Sequence, residues 1–345
     1  MNFYLPNGYL DFPRVWALPY PFVIIIGGRG TGKTFGALDF CTENKIKFAF
    51  FRRTQQQADI INKTEFSPLR PVARMRGFEF TMKPIVKGIS AFCPATLDED
   101  GKAVITGEPW GITAALSTIS NVRGFDASWI DCMLYDEFIP EKGERLLKGE
   151  ADTLFNAYET LNRNRELLGN PPLRLVLMAN ANDQASPVLL KLGLVKRLDT
   201  MAAKGVSYYA DEKRGLAVVL LPDSPISASK ADTALYKLTA GTDFAEMSLS
   251  NKFAYEERGN VAPRPIAEYK PFVVVGELCV YKHKSDNRYY VTQHKAGSPP
   301  TYGVGDNEIA RFRHAYGWLY RAHMLKRVDF EDYACQVLFT QYIDA

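Results

Sequence analysis

The 345 residues are 46% hydrophobic and 23% charged, ordinary globular usage that excludes a disordered chain, a collagen and a disulfide scaffold. Lys and Arg number 42 against 39 Asp and Glu, and the net charge of +3 is too small for nucleic-acid binding through bulk charge, so any such binding needs local patches. The longest apolar runs, 22–26 and 216–221, fall far short of the roughly 20 residues that cross a bilayer, and residues 1–21 show no basic segment followed by an apolar core. The expectation is a cytoplasmic protein of about two domains. Cys41, Cys93, Cys132, Cys279 and Cys335 have no short paired spacing and read as small buried apolar residues rather than disulfides or zinc ligands. His283 is the first histidine, so chemistry before it must rest on carboxylates, Lys, Arg or a metal.

Taken in chain order, a β-rich run at 22–26 ends in a glycine cluster and passes into a helical pattern from Lys33 to about Glu43, and a second strand at 46–51 completes a βαβ unit. The cluster Gly27, Gly28, Arg29, Gly30, Thr31, Gly32, Lys33, Thr34 matches GxxxxGK[ST] in the strand-to-helix context that motif requires. Its amides would wrap a β-phosphate, Lys33 would span the β- and γ-phosphates, and the Thr34 hydroxyl would ligate Mg²⁺, so ATP and Mg²⁺ are the expected ligands. Arg52 and Arg53 close the second strand, and Arg123 precedes a later one. Each reads as a contact to nucleotide or DNA phosphate or as a surface salt bridge. Short strands are expected at 78–82, 85–92 and 111–116.

The apolar strand 131–135 closes on Asp136 and Glu137. Asp136 would position Mg²⁺, and Glu137 would orient and deprotonate the attacking water. That adjacent glutamate points away from most GTPases and kinases and toward the additional-strand, catalytic-glutamate branch of P-loop ATPases. A helical region at 151–168 carries Arg163 and Arg165, either arginine fingers at a subunit edge or members of a solvated helix face. Strand 173–179 ends at Asn180, a γ-phosphate sensor or a plain turn residue. A guanine-reading NKxD at 180–183 is rejected, because Ala181 replaces its lysine and Ile139 stands where the companion DxxG needs glycine.

Residues 204–257 read as a linker or small subdomain holding one strand, 216–221. Beyond it, strands 272–281 and 288–294 form a hairpin, followed by a helix at about 307–326 and a second short helix. Arg311, Arg313, Arg321, Lys326 and Arg327 are interleaved there with Phe312, Tyr316, Trp318 and Tyr320, and no acid falls between Ile309 and Val328. This suits phosphate-backbone or RNA contact, or equally a packed helix with a charged outer face. The fold class is α/β: a three-layer P-loop domain over 1–205, a linker or lid subdomain over 206–262, and a smaller α/β domain over 263–345.

With GGRGTGKT, CMLYDEF, LNRNRE, LVLMANA and GTDFAEMSLSNKF in this order, residues 22–253 resemble the DNA-encapsidation ATPases of small tailed phages with protein-primed linear genomes. The chain is similar more remotely to large terminase subunits, which share an Arg-Gly step like Arg123-Gly124. The resemblance implies a viral packaging motor ATPase, a homo-oligomeric and pentameric ring on a portal vertex that drives double-stranded DNA into a procapsid in the infected bacterial host's cytoplasm. It implies that Arg163 is a finger acting in trans, with Arg165 in reserve. It also implies that the C-terminal domain resembles a ribonuclease-H-like nuclease without its metal ligands and docks the motor on the capsid or a packaging RNA. In accord, strand 272–281 offers only Glu277 and 288–294 no acid, too few carboxylates for two-metal cleavage. The alternatives are a P-loop kinase with a small acceptor and a nucleotide-gated, nucleic-acid-binding scaffold with little hydrolysis.

Overall fold

Consecutive apolar residues, without the alternation of a half-exposed sheet, must be covered on both faces, and this sets the architecture of the larger unit. The computed structural model describes all residues except 123–126, 142–143, 145–146, 148, 182–185, 222–223, 243–244, 246–259 and 344–345. They divide into one unit of Met1–Lys191 with Leu198–Tyr255 and another of Leu192–Arg197 with Glu256–Ala345. The larger contains β1 (Phe22–Gly27), β2 (Phe48–Arg52), β3 (Glu79–Val86), β4 (Ile89–Leu97), β5 (Ala103–Ile105), β6 (Gly111–Ala115), β7 (Cys132–Asp136), β8 (Arg174–Asn180), β9 (Tyr208–Asp211) and β10 (Leu216–Leu221). These form one sheet in the order β3-β4-β6-β2-β7-β8-β1-β10-β9, with β5 paired to β4. The path from β6 to β10 is parallel throughout, and β4 and β9 close it with antiparallel pairs.

Both faces are covered. On one, Val23, Ile25, Phe48, Phe50, Leu134 and Val176 pack with Ala37, Leu38 and Cys41 of the helix Lys33–Glu43. On the other, the helix Glu150–Asn162 buries Leu154, Ala157 and Leu161 and sets its Tyr158 ring 5.3 Å from that of Phe22. All five cysteines are buried and unpaired, as expected; the Cys41 and Cys132 sulfurs stand 3.9 Å apart. β8 lies between the phosphate-loop strand β1 and the carboxylate strand β7, the additional-strand order.

The expected linker at 206–262 needs correction at its start. β9 and β10 belong to the main sheet, and β10 runs parallel beside β1 from the pair Phe22 and Leu216 to the pair Gly27 and Leu221. Every residue of β10 is buried, and an all-apolar strand finds that cover only inside the sheet.

The smaller unit has β11 (Tyr269–Val275), β12 (Leu278–His283), β13 (Tyr289–Thr292), β14 (Thr301–Tyr302) and β15 (Val328–Phe330) in the order β14-β11-β12-β13-β15. It is an antiparallel meander with a parallel strand at each edge. Val275, Val280, Phe312, Leu319, Phe330 and Phe339 form its core. The run 272–281 is therefore two strands, turning at Gly276 and Glu277. The helix expected over 307–326 is likewise two, Asp306–Tyr316 and Trp318–Met324, separated at Gly317.

Arg53 differs most from its expected role as a DNA contact. Its side chain is fully buried, with Nε and one terminal nitrogen 2.8 and 2.9 Å from the two Glu150 carboxylate oxygens and the other terminal nitrogen 2.8 Å from Glu144. The Tyr135 hydroxyl donates to the same Glu150 at 2.9 Å, so Arg53 ties β2, β7 and the helix Glu150–Asn162 together. Removing one member of a buried pair leaves an uncompensated charge that costs about 3–5 kcal/mol. Urea unfolding of Arg53→Met should show a loss of that size, and Arg53→Met/Glu150→Met should regain more than half of it; a loss within about 0.5 kcal/mol, typical of a surface site, would contradict this role.

Candidate nucleotide-binding site

Parallel strands end at the same sheet edge, so the residues that close β1, β7 and β8 are brought together. Gly27 stands beside Asn180 in register, and Asp136 beside Met178 on the strand between. The loop after β1 turns through left-handed backbone at Gly30 and Gly32 (φ +70° and +81°), a conformation that costs glycine little. It returns to place Lys33 at the start of the next helix.

The Lys33 ammonium is buried and donates to the carbonyls of Gly27 at 3.1 Å and Gly28 at 2.7 Å and to Asn180 Oδ1 at 3.1 Å. Burial lowers its pKa to about 8, against the pull of Asp136. Thr34 Oγ1 donates to Asp136 Oδ2 at 2.9 Å. Burial pushes the Asp136 carboxyl upward, and Arg52, 3.2 Å away, is the main opposing influence, ahead of the Thr34 hydrogen bond. Arg52 also pairs with Glu137, whose backbone is left-handed at φ +56° and whose side chain is half exposed. Such a backbone is unfavourable for a residue with a Cβ and recurs at functional sites. The Arg29 guanidinium pairs with Glu141.

A cavity of about 380 Å³ is enclosed by the phosphate loop, Asp136, Glu137, Glu141, Ala179 and Asn180. A larger one of about 1090 Å³ adjoins it at Gly30, Gly32 and Phe35, lined also by Asn7, Tyr9 and Gly36. The first is walled by polar groups, and the second is mainly apolar, with room for a base and sugar. Thr34 and Asp136 present adjacent oxygen donors that suit a hard divalent cation.

The structure thus gathers Gly27 to Thr34, Asp136, Glu137 and Asn180 at one place. Arg52 joins them, facing the two carboxylates instead of a DNA surface. Arg163 is exposed at the end of the helix Glu150–Asn162 with φ +49°, whereas Arg165 is half-buried, bonded to the Ile130 carbonyl and 3.7 Å from Asp131. Arg123 and the run 246–253 lie outside the described residues. In the smaller unit Arg321, Lys326 and Arg327 are exposed. Arg311, also exposed, pairs with Glu308 at 2.7 Å, and Arg313 is directed to the carbonyls of Tyr342 and Gln341 at 2.9 and 3.1 Å. Sequence reasoning missed Asn7, Tyr9 and Glu141, for which no local motif exists.

Phosphate loop, intervening strand and Asp-Glu pair define a P-loop NTPase of the additional-strand, catalytic-glutamate type. The family model described as podovirus DNA encapsidation protein (Gp16) matches residues 2–276, and the chain belongs to that family. It is 27% identical over 258 residues to the DNA packaging proteins of Bacillus phages phi29 and PZA; the alignments cover 73% of this chain and 66%, just under two thirds, of each relative. Solved structures of the Phi-28 gp11 DNA packaging motor and of the bacteriophage Phi-29 viral genome packaging motor assembly each share its fold with a TM-score of 0.65 at 17% identity. They cover 99% and 98% of this chain and 98% of each matched chain.

Lys33 must be protonated to attract phosphate, and burial brings its pKa down to about 8. Nucleotide affinity should therefore fall as pH rises above about 8, by at most about tenfold per pH unit, because binding must then draw in a proton. For the ligand-free chain the sign reverses: between about 8 and the ordinary 10.5 the unfolded lysine holds its proton and the folded one does not, so this group's contribution to stability rises with pH. Fluorescence titration with a nucleotide analogue across this range checks the first effect, and a flat affinity would contradict it.

Proposed function

We propose that the chain is the ATPase of a viral packaging motor, which couples ATP hydrolysis to the movement of double-stranded DNA through a portal into a procapsid in the cytoplasm of an infected bacterium. The observation that carries this reading is the convergence of Lys33, Thr34, Asp136 and Glu137 at one sheet end in a chain whose relatives are DNA packaging proteins. The loop amides and Lys33 hold the β- and γ-phosphates of ATP. Thr34 and Asp136 would hold Mg²⁺, which when bound neutralises charge developing on the phosphates. Glu137 takes a proton from water, the water oxygen bonds to the γ-phosphorus, and the bond to the bridging oxygen breaks, leaving ADP and phosphate. Asn180, bonded to Lys33, would sense the γ-phosphate.

Arg163 acts in trans. Its neighbour Arg165 binds the residues just before β7, whereas Asp136 ends that strand, so the LNRNRE segment lies at the opposite sheet edge from its own nucleotide. Five strand residues span roughly 17 Å, which leaves a neighbouring subunit's site as the target of Arg163. A homo-oligomeric ring, pentameric by family resemblance, would satisfy this requirement. Arg165 anchors the segment, so its use as a reserve finger would break that anchor. The exposed Arg321, Lys326 and Arg327 are the residues we assign to the phosphate backbone of DNA or a packaging RNA. No nuclease step is part of the proposal.

In a mixture of procapsids, linear double-stranded DNA and this chain, ATP should render the DNA resistant to added nuclease. Hydrolysis with no DNA protection would overturn the packaging assignment. Arg163→Ala subunits mixed with wild type should depress hydrolysis more steeply than dilution, since each would silence a neighbour; a strictly proportional loss would argue for action within one subunit.

A further inference from the structure

We propose that Lys230 is a positioning residue of the nucleotide site, a second lysine that fixes the tip of the phosphate loop from outside so that its amides face a bound nucleoside di- or triphosphate. This rests on the reading of the site as an ATP site. Lys230 lies on the short helix Pro225–Ala231, beyond β10 and outside the phosphate-loop motif. Its ammonium donates to the Arg29 carbonyl and stands where a side chain on Gly30 would begin, 2.9 Å from the position of a Cβ there. Carbonyl and N–H point in opposite directions across a trans peptide. An ammonium that holds the Arg29 carbonyl outward therefore turns the Gly30 N–H inward, and Gly30 lines the polar cavity beside Asp136 and Glu137.

The next outward carbonyl is treated alike. Thr31 O accepts from the Leu10 backbone N–H at 2.8 Å, which turns the Gly32 N–H the same way. The two supports are themselves joined, because the buried Ser224, which caps the Lys230 helix, donates from Oγ to the Gly8 carbonyl at 2.8 Å. Residues 5–10 and the helix Pro225–Ala231 thus form a collar around the loop.

The electrostatics agree. Lys230 and Lys33 each donate to a carbonyl of the phosphate loop, and the Lys230 ammonium disfavours charge on Lys33, an effect that a bound polyphosphate would relieve. Because the loop-tip amides surround the phosphate common to ADP and ATP, losing Lys230 should weaken both equally. It should raise KM and leave kcat at saturation nearly unchanged, since Lys230 touches no reacting atom.

The test is titration of the full chain with fluorescent ADP and ATP analogues in Mg²⁺, beside steady-state phosphate release. Lys230→Met should weaken both nucleotides by about tenfold, the effect of one charged hydrogen bond, with kcat within about twofold of wild type. Lys230→Arg, which keeps a charged donor, should restore most of the affinity, a rescue that general damage to the helix would not give. Wild-type affinity for both nucleotides in Lys230→Met would overturn the inference, as would a fall in kcat at constant KM. Lys33→Ala separates the two readings: nucleotide binding unaffected by that change would sink the ATP site itself, whereas loss in Lys33→Ala with none in Lys230→Met would sink only the role of Lys230.

Discussion

The structure depends on an unfavourable burial, a lysine ammonium and an aspartate carboxylate both withdrawn from water at one end of a parallel sheet. Either alone would be expensive. Lys33 is accommodated by carbonyls of its own loop and by Asn180, and Asp136 by Thr34 and Arg52. The sheet order creates the space between them. With β8 interposed, β1 and β7 lie two strand spacings apart, roughly 9–10 Å, enough for phosphates and a cation between Lys33 and the carboxylates.

Arg52 and Arg53 show how the same sheet divides chemistry from stability. Neighbouring residues at a strand end face opposite ways. Arg52 turns to Asp136 and Glu137 at the site, and Arg53 turns inward to Glu150 and Glu144. One guanidinium holds the carboxylates of the nucleotide site while the other fixes the strand that carries it. Neither is available to DNA, which shifts the search for nucleic-acid contacts to the exposed cations of the smaller unit.

The sequence disclosed what backbone chemistry demands locally. The phosphate loop and the Asp136-Glu137 pair are legible because a strand, a turn and a helix N-terminus must follow one another within a few residues, and the adjacent glutamate also foretold the inserted strand. The strand at 216–221 was legible, but its place in the main sheet and the short strand β9 beside it were not. The parallel partner of β10 lies at 22–27, far away in sequence, and nothing local records such a pairing. The fate of individual arginines was equally hidden, since composition gives the charge of Arg53 and Arg313 but not the carboxylate or carbonyl each would meet. Lys230 gave no signal because its effect is exerted through a peptide plane 201 residues earlier, at Arg29.

Glu137, held by Arg52 beside the buried Asp136, is the group we assign as the base that activates water. The most direct test is the fate of ATP bound to Glu137→Gln in the assembled motor, followed by chemical quench. ATP should be retained intact at wild-type affinity, with phosphate release slowed by about 10²–10⁴-fold, the range for loss of a positioned base. Turnover at the wild-type rate with ATP bound would contradict this assignment.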